Sequence, residues 1–137
     1  MQNLQVRLTT KEDYPELVEW WKYHRWGTPP SLELLDNLRF GIVISLDGEN
    51  ICAGFIYFTN AKAFGILEYI VSTYKVRDKK IRSEALKLLL LSLCDIAKQK
   101  GVKSVISFIK NDNLINHYEE SGFVSGGSGY TSMIKTV

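Results

Sequence analysis

The chain has little with which to chelate a metal or cross-link itself: two cysteines and two histidines in 137 residues. Cys52 and Cys94 lie inside apolar segments without ligand spacing, so they are expected as small buried thiols in a reducing compartment. His24 stands alone and takes no metal or base role. HExxH, GxSxG and zinc-ligand patterns are missing, which leaves metal-assisted and nucleophile-elbow hydrolysis without a motif. No metal is expected. Long hydrophobic runs are missing too. Leu88 to Leu91 spans four residues beside Lys87, far short of the roughly 20 needed to cross a bilayer. Met1-Gln2-Asn3-Leu4 lacks a basic region followed by an apolar run, so no secretory leader and a cytoplasmic location are expected. Nor does one sign of charge dominate. A formal net charge of +2 is too small to mark a nucleic-acid binder, and any electrostatic role must come from local clustering.

What is present suits a globular domain: 45% hydrophobic and 23% charged residues, a balance that argues against disorder. With no linker and no internal repeat, residues 1–137 read as one domain, long enough for a proper core. Leu4 to Leu8 alternates as a half-buried strand does. Thr9 or Thr10 can cap a helix carrying Leu17, Trp20, Trp21 and His24 at spacings of three and four. Trp26-Gly27-Thr28-Pro29-Pro30 breaks that helix, and Ser31 starts a short second one. Phe40–Leu46 and Ile51–Phe58 form strands around Asp47-Gly48, a hairpin signal, and Phe64–Thr73 follows as a third. Gly54 within its strand suits a bulge or close packing.

Ile81, Ala85, Leu88, Leu89, Leu93 and Ile96 share one helical face, and Gly101 ends that helix. Val102–Ile109 is then a strand parallel to Phe64–Thr73, because crossover connections are right-handed. Asp112–Ser121 is a short helix closed by Gly122. Phe123-Val124 opens a further strand, Gly126-Gly127-Ser128-Gly129 is a flexible tip, and Tyr130–Lys135 completes the succession. The class is α+β.

Several groups of residues carry chemistry. Between Lys75 and Arg82 there are five cations and one acid, at the start of a helix, where anions are favoured. The same composition also describes a solvated charged loop. Glu68 shares a strand side with Ile66 and Ile70 in strict alternation, which would desolvate its carboxyl and raise its pKa. Asn111 and Tyr118 stand seven residues apart ahead of Gly122-Phe123. Trp20 and Trp21 are adjacent, about 100° apart on a helix, so one of them could line a cleft or an interface while the other packs.

The element order, the loop Arg77-Asp78-Lys79-Lys80-Ile81-Arg82 and the segment Asn111 to Phe123 resemble GNAT-type N-acetyltransferases across essentially the whole chain. The resemblance implies a twisted, mixed and mostly antiparallel sheet of six to seven strands flanked by about four helices. It implies acetyl-CoA as cosubstrate, held where the fourth and fifth strands splay apart, and direct attack on the thioester by an amine. Asn111 would contact the pantetheine arm and Tyr118 would protonate the departing thiolate. Glu68, directly or through water, would take the amine's proton. A backbone N–H near Val71 would polarise the thioester carbonyl.

In the family a Gln/Arg-x-x-Gly-x-Gly/Ala loop holds the pyrophosphate. Here Arg77 matches its first position, while Lys80 and Arg82 replace the two glycines. Thr73, Lys79 and Ser83 are grouped with these as cofactor-binding residues. Where glycine admits close backbone approach, lysine and arginine bring long stems. These either fold outward and hold phosphates by charge or close the gap. An N-acetyltransferase acting on a small-molecule or protein amine is therefore expected. A catalytically inactive binding or regulatory module on the same fold is the alternative. Membrane association is not expected and nucleic-acid binding is disfavoured, while a homodimer fits the general habit of small domains.

Overall fold

The computed structural model describes residues 3–137. One five-stranded sheet organises the chain: β1 (Leu4–Leu8), β2 (Gly41–Leu46), β3 (Glu49–Phe58), β4 (Phe64–Ser72) and β5 (Ser104–Ser107), side by side in that order. The first four are antiparallel to their neighbours, and β5 runs parallel to β4. Three α-helices, α1 (Tyr14–Tyr23), α2 (Lys79–Gln99) and α3 (Asp112–Glu120), complete the α+β architecture.

Local chemistry explains most boundaries. Leu46 pairs with Glu49 across Asp47 and Gly48, whose φ values are +51° and +80°; only a primed two-residue turn joins twisted strands this tightly. Arg7 grips Asp13 through two hydrogen bonds of 2.8 and 2.7 Å, and the Thr10 amide donates to the same carboxylate at 2.8 Å. This fixes the end of β1 to the approach of α1. The Arg7 guanidinium holds the Asp13 carboxyl below its usual pKa. At its C-terminus α2 closes with the Gly101 amide on the Lys98 carbonyl at 3.0 Å and the Val102 amide on the Ala97 carbonyl at 3.0 Å. That is a Schellman ending, with Gly101 at φ +80° supplying the left-handed residue.

The sheet separates two cores. One face packs Ile42, Ile44, Cys52, Ile56, Leu67 and Ile70 against Ala85, Leu89, Leu90 and Leu93 of α2, with Tyr118 of α3. The other packs Val43, Ala53, Phe55 and Val71 against Leu17, Trp20 and Trp21 of α1. Both adjacent tryptophans are fully buried, at 1% and 0% exposure. Neither lines a cleft or an interface, because the broad sheet face takes a wider stripe than two helices alone would. Close packing also explains Gly54: a Cβ there would meet Ile70 Cδ1 and lie 3.2 Å from Leu93 Cδ1.

Three expectations are corrected. Among the described residues the sheet has five strands rather than six to seven, and there are three α-helices rather than about four. Residues 123–137 form no strand: Phe123 packs against the α2-side core, and beyond it Val124, Met133 and Ile134 are about nine-tenths exposed. The short helix expected from Ser31 is a series of turns ending in a 3-10 turn, Asp36–Leu38. Asp36, Asn37 and Leu38 have φ of +50°, +56° and +62°, a left-handed path that an α-helix cannot continue. The Leu38 carbonyl accepts from Thr9 Oγ1 at 2.6 Å and the Asn37 amide donates to the Leu32 carbonyl at 2.8 Å, which holds that path in place.

Gly54→Val would force a branched side chain between β3 and α2. The expected cost is about 1–3 kcal/mol, measured as a lower urea midpoint at unchanged slope. An unchanged midpoint would show that α2 does not press on this strand.

Candidate functional site

β4 and β5 pair over only four positions, Phe64↔Ser104 to Leu67↔Ser107. β4 then runs on to Ser72 while β5 ends at Ser107. Past Leu67 the two parallel strands part, and a cleft of about 330 Å³ opens between them. Glu68, Tyr69 and Ile70 of β4 line one side; Ser107, Asn111, Leu114 and Tyr118 line the other, and Trp26 stands at the α1 end.

A bulge shapes the β4 side. Phe55 faces Glu68 and Ala53 faces Val71, so β4 spends two residues, Tyr69 and Ile70, where β3 spends Gly54 alone. Tyr69 takes φ +57°, a costly conformation for an aromatic residue that persists where surrounding packing enforces it. The bulge sends Ile70 into the α2 core while Tyr69 joins the α1 core. The expected grouping of Glu68 with Ile66 and Ile70 is therefore half right: Glu68 keeps Ile66 and loses Ile70 to the opposite face. Burial still raises the Glu68 carboxyl above its ordinary pKa.

Tyr118 is 3% exposed. Its hydroxyl lies 2.8 Å from Ser107 Oγ, and Ser107 Oγ donates to the Leu67 carbonyl at 3.2 Å. Either hydroxyl can donate in this pair, so Ser107 ties the phenol to the β4 backbone. Burial pushes the Tyr118 pKa up to about 12, the Ser107 hydrogen bond opposes that, and the Glu68 charge adds to it. Tyr118 thus holds its proton at neutral pH, which suits an acid. Ser107 was not singled out from the sequence. The available signal was a hydroxyl inside the apolar run Val102–Ile109.

Asn111 lines the cleft and also caps α3, its Oδ1 accepting from the Leu114 amide at 3.1 Å. Its Nδ2 is the donor that remains for a ligand. Leu114 stands beside it in the lining.

The other expected residues lie elsewhere. Val71 is buried against α1. Thr73 is buried too, with its amide donating to the Ile51 carbonyl at 2.8 Å and its Oγ1 accepting from the Lys75 amide at 3.2 Å. Arg77, Lys79 and Lys80 are exposed, Arg82 and Ser83 are half-buried in the first turn of α2, and none of them lines the cleft. The lysine and arginine stems therefore do not plug the gap.

Asp78 caps α2, its Oδ1 accepting from the Lys80 amide at 2.9 Å and the Ile81 amide at 3.3 Å. A diphosphate at this helix start would need those donors. The amides with which this helix start could take an external anion are therefore already engaged by the chain's own carboxylate. Arg82 Nε, buried without a partner among the described residues, is a donor still available nearby. Among the described residues no group of three or more His, Cys, Asp or Glu could hold a metal ion, and no helix is long and apolar enough to cross a membrane.

Solved structures share this architecture. TTHA1254 from Thermus thermophilus superposes with a TM-score of 0.73 at 18% identity, covering 97% of this chain and 98% of that one. The ribosomal-protein-alanine N-acetyltransferase of Brucella melitensis biovar Abortus 2308 gives 0.69 at 15%, over 96% and 99%. N-acetylglutamate synthase from Neisseria gonorrhoeae, crystallised with coenzyme A and N-acetyl-glutamate, gives 0.74 at 15%; it covers 93% of this chain, which spans 30% of that longer protein. No family model and no curated protein sequence matches the chain. At these identities the likeness is one of fold, which the chain shares with solved acetyltransferases.

Tyr118 gives a pH signature. An ordinary tyrosine ionises near pH 10, so the unfolded chain loses this proton first and the folded chain near 12. The stability contributed by the neutral phenol is intact below pH 10 and lost as pH rises through 12. The wild type's advantage over Tyr118→Phe in urea midpoint should be constant up to about pH 9 and shrink above 10. A difference that is flat to pH 12 would mean that Tyr118 is not buried as described.

Proposed function

We propose that this chain is an N-acyltransferase that passes an acyl group from a pantetheine thioester, acetyl-CoA in the simplest case, to an amine by direct attack. One observation carries the reading: Glu68, Asn111 and Tyr118 converge on the cleft where β4 and β5 part. Two strands leave room there for a thin arm with a reactive end. Direct transfer needs an amine and a thioester held in line, an acceptor for the amine's proton and a donor for the leaving sulfur. Glu68 faces the α1 side of the sheet and Tyr118 the α2 side, so base and acid serve opposite ends of the reacting pair.

The amine nitrogen attacks the thioester carbonyl, its proton passes to Glu68 directly or through water, and the C–S bond breaks. The thiolate takes the Tyr118 proton, with Ser107 orienting the phenol. Asn111 Nδ2 is placed to bind the amide-rich arm. The acceptor is a small-molecule or protein amine entering beside Trp26 and Tyr69. Asp78 on the α2 amides favours a second reading, a non-catalytic binding module in which the diphosphate site has been given up.

A thiol-release assay with millimolar acetyl-CoA over an amine panel separates the two. Turnover is expected. Tyr118→Phe should lower kcat by about 100-fold, in the range for loss of a positioned acid. Because the Glu68 pKa is raised and the base works ionised, the wild-type rate should climb with pH through that raised value, and Glu68→Gln should flatten this acidic limb. No turnover with any amine would leave the binding module standing.

A further inference from the structure

We propose that the acyl group reaches this cleft on the phosphopantetheine arm of an acidic carrier protein docked on the loop Lys75–Arg82, in preference to free CoA. The proposal rests on the acyl-transfer reading above and names the donor's carrier.

Topology sets the place. In the parallel pair, the loop after β4 leads into α2 and the loop after β5 leads into α3. Both lie at the strand ends where the cleft opens, the side on which open α/β arrangements bind ligands. An arm entering the cleft therefore passes the start of α2.

Charge and hydrogen bonding then select among arms. Free CoA brings a diphosphate to that point, and the amides of Lys80 and Ile81 are already engaged by Asp78. The incoming group must displace a carboxylate or lie against it, with like charges a few ångströms apart. A carrier-borne arm holds a single phosphodiester and does not need the cradle.

The cations of the loop are arranged for a large partner. Lys75, Arg77, Lys79 and Lys80 are all exposed, none lines the cleft, and the two ion pairs among the described residues, Arg7–Asp13 and Arg39–Asp36, leave them out. The one acid of the loop is occupied with amides. Cations spread along an exposed turn match an acidic protein surface, where charge complementarity steers docking and fixes orientation.

The chemistry is unchanged. The amine–carbonyl bond forms as the C–S bond breaks, the amine's proton goes to Glu68 and the sulfur takes Tyr118's. The carrier leaves with a free thiol.

Calorimetric titration of the full chain with CoA, with a purified acyl carrier protein bearing its phosphopantetheine, and with the same carrier lacking it tests this directly. The arm-bearing carrier should bind at least tenfold more tightly than CoA and weaken as salt rises. Lys79→Glu with Lys80→Glu should cost about tenfold in carrier affinity, whereas Lys98→Glu, in the last turn of α2, should leave it unchanged. Asp78→Asn keeps a capping side chain but removes the charge, and should tighten CoA about fivefold.

Micromolar CoA binding that exceeds carrier binding and ignores Asp78→Asn would overturn the proposal. If acetyl-CoA is also turned over in that case, acyl transfer stands and only the carrier falls. Carrier binding that depends on Lys79 and Lys80, without turnover of either thioester, would uphold the docking surface and remove the acyltransferase.

Discussion

The site depends on where two parallel strands stop pairing. β4 and β5 hold together as far as Leu67 and Ser107, and at that point Ser107 Oγ reaches the Leu67 carbonyl while Tyr118 reaches Ser107. The three groups form one short hydrogen-bonded chain from strand to strand to helix. Each bond contributes only about 1 kcal/mol net, yet together they fix the floor of the cleft and the direction of the phenol that α3 brings to it. Remove that fork and the sheet either closes or loses α3, and the carboxylate of Glu68 has nothing to face.

Two environments meet at the fork. The reactive end is half-buried and largely apolar, so a carboxyl rises in pKa there and a phenol keeps its proton. The anchoring end, one loop away, is exposed and cationic, with Asp78 satisfying the helix amides. Under the proposed acyl transfer, the cleft would carry the reacting groups while Asp78 occupies the amides that could otherwise hold a negatively charged donor.

Much of this was legible in the letters. Asp47-Gly48 announced its hairpin because few residues accept two positive φ values in succession, and Gly101 announced the end of α2 for the same reason. Asn111 and Tyr118 were picked out by the resemblance of their segment, and both line the cleft. Features set by tertiary contact were not legible. The inserted residue in β4 broke the alternation that grouped Glu68 with Ile70, and nothing in Glu68-Tyr69-Ile70 marks it, since a tyrosine is a poor candidate for φ +57°. Trp20 and Trp21 looked too divergent to share a core until a whole sheet face received them. Tyr130 to Lys135 has the composition of a strand but no partner. Asp78 was counted as one acid among cations, and only geometry revealed that it caps the helix.

The sheet's spatial order repeats the order of its strands along the chain, β1 to β5. β2, β3 and β4 follow one another through short reversals, and such nearest-neighbour assembly loses little loop entropy per step, whereas α1 lies between β1 and β2. β5, like β1, pairs across an intervening helix: α2 must form before the chain returns beside β4. Of the two non-local pairings in this topology, the parallel one is the one that creates the cleft. α2 thus has two tasks at once: it covers one face of the β2–β4 meander and it returns the chain to open the cleft beside β4.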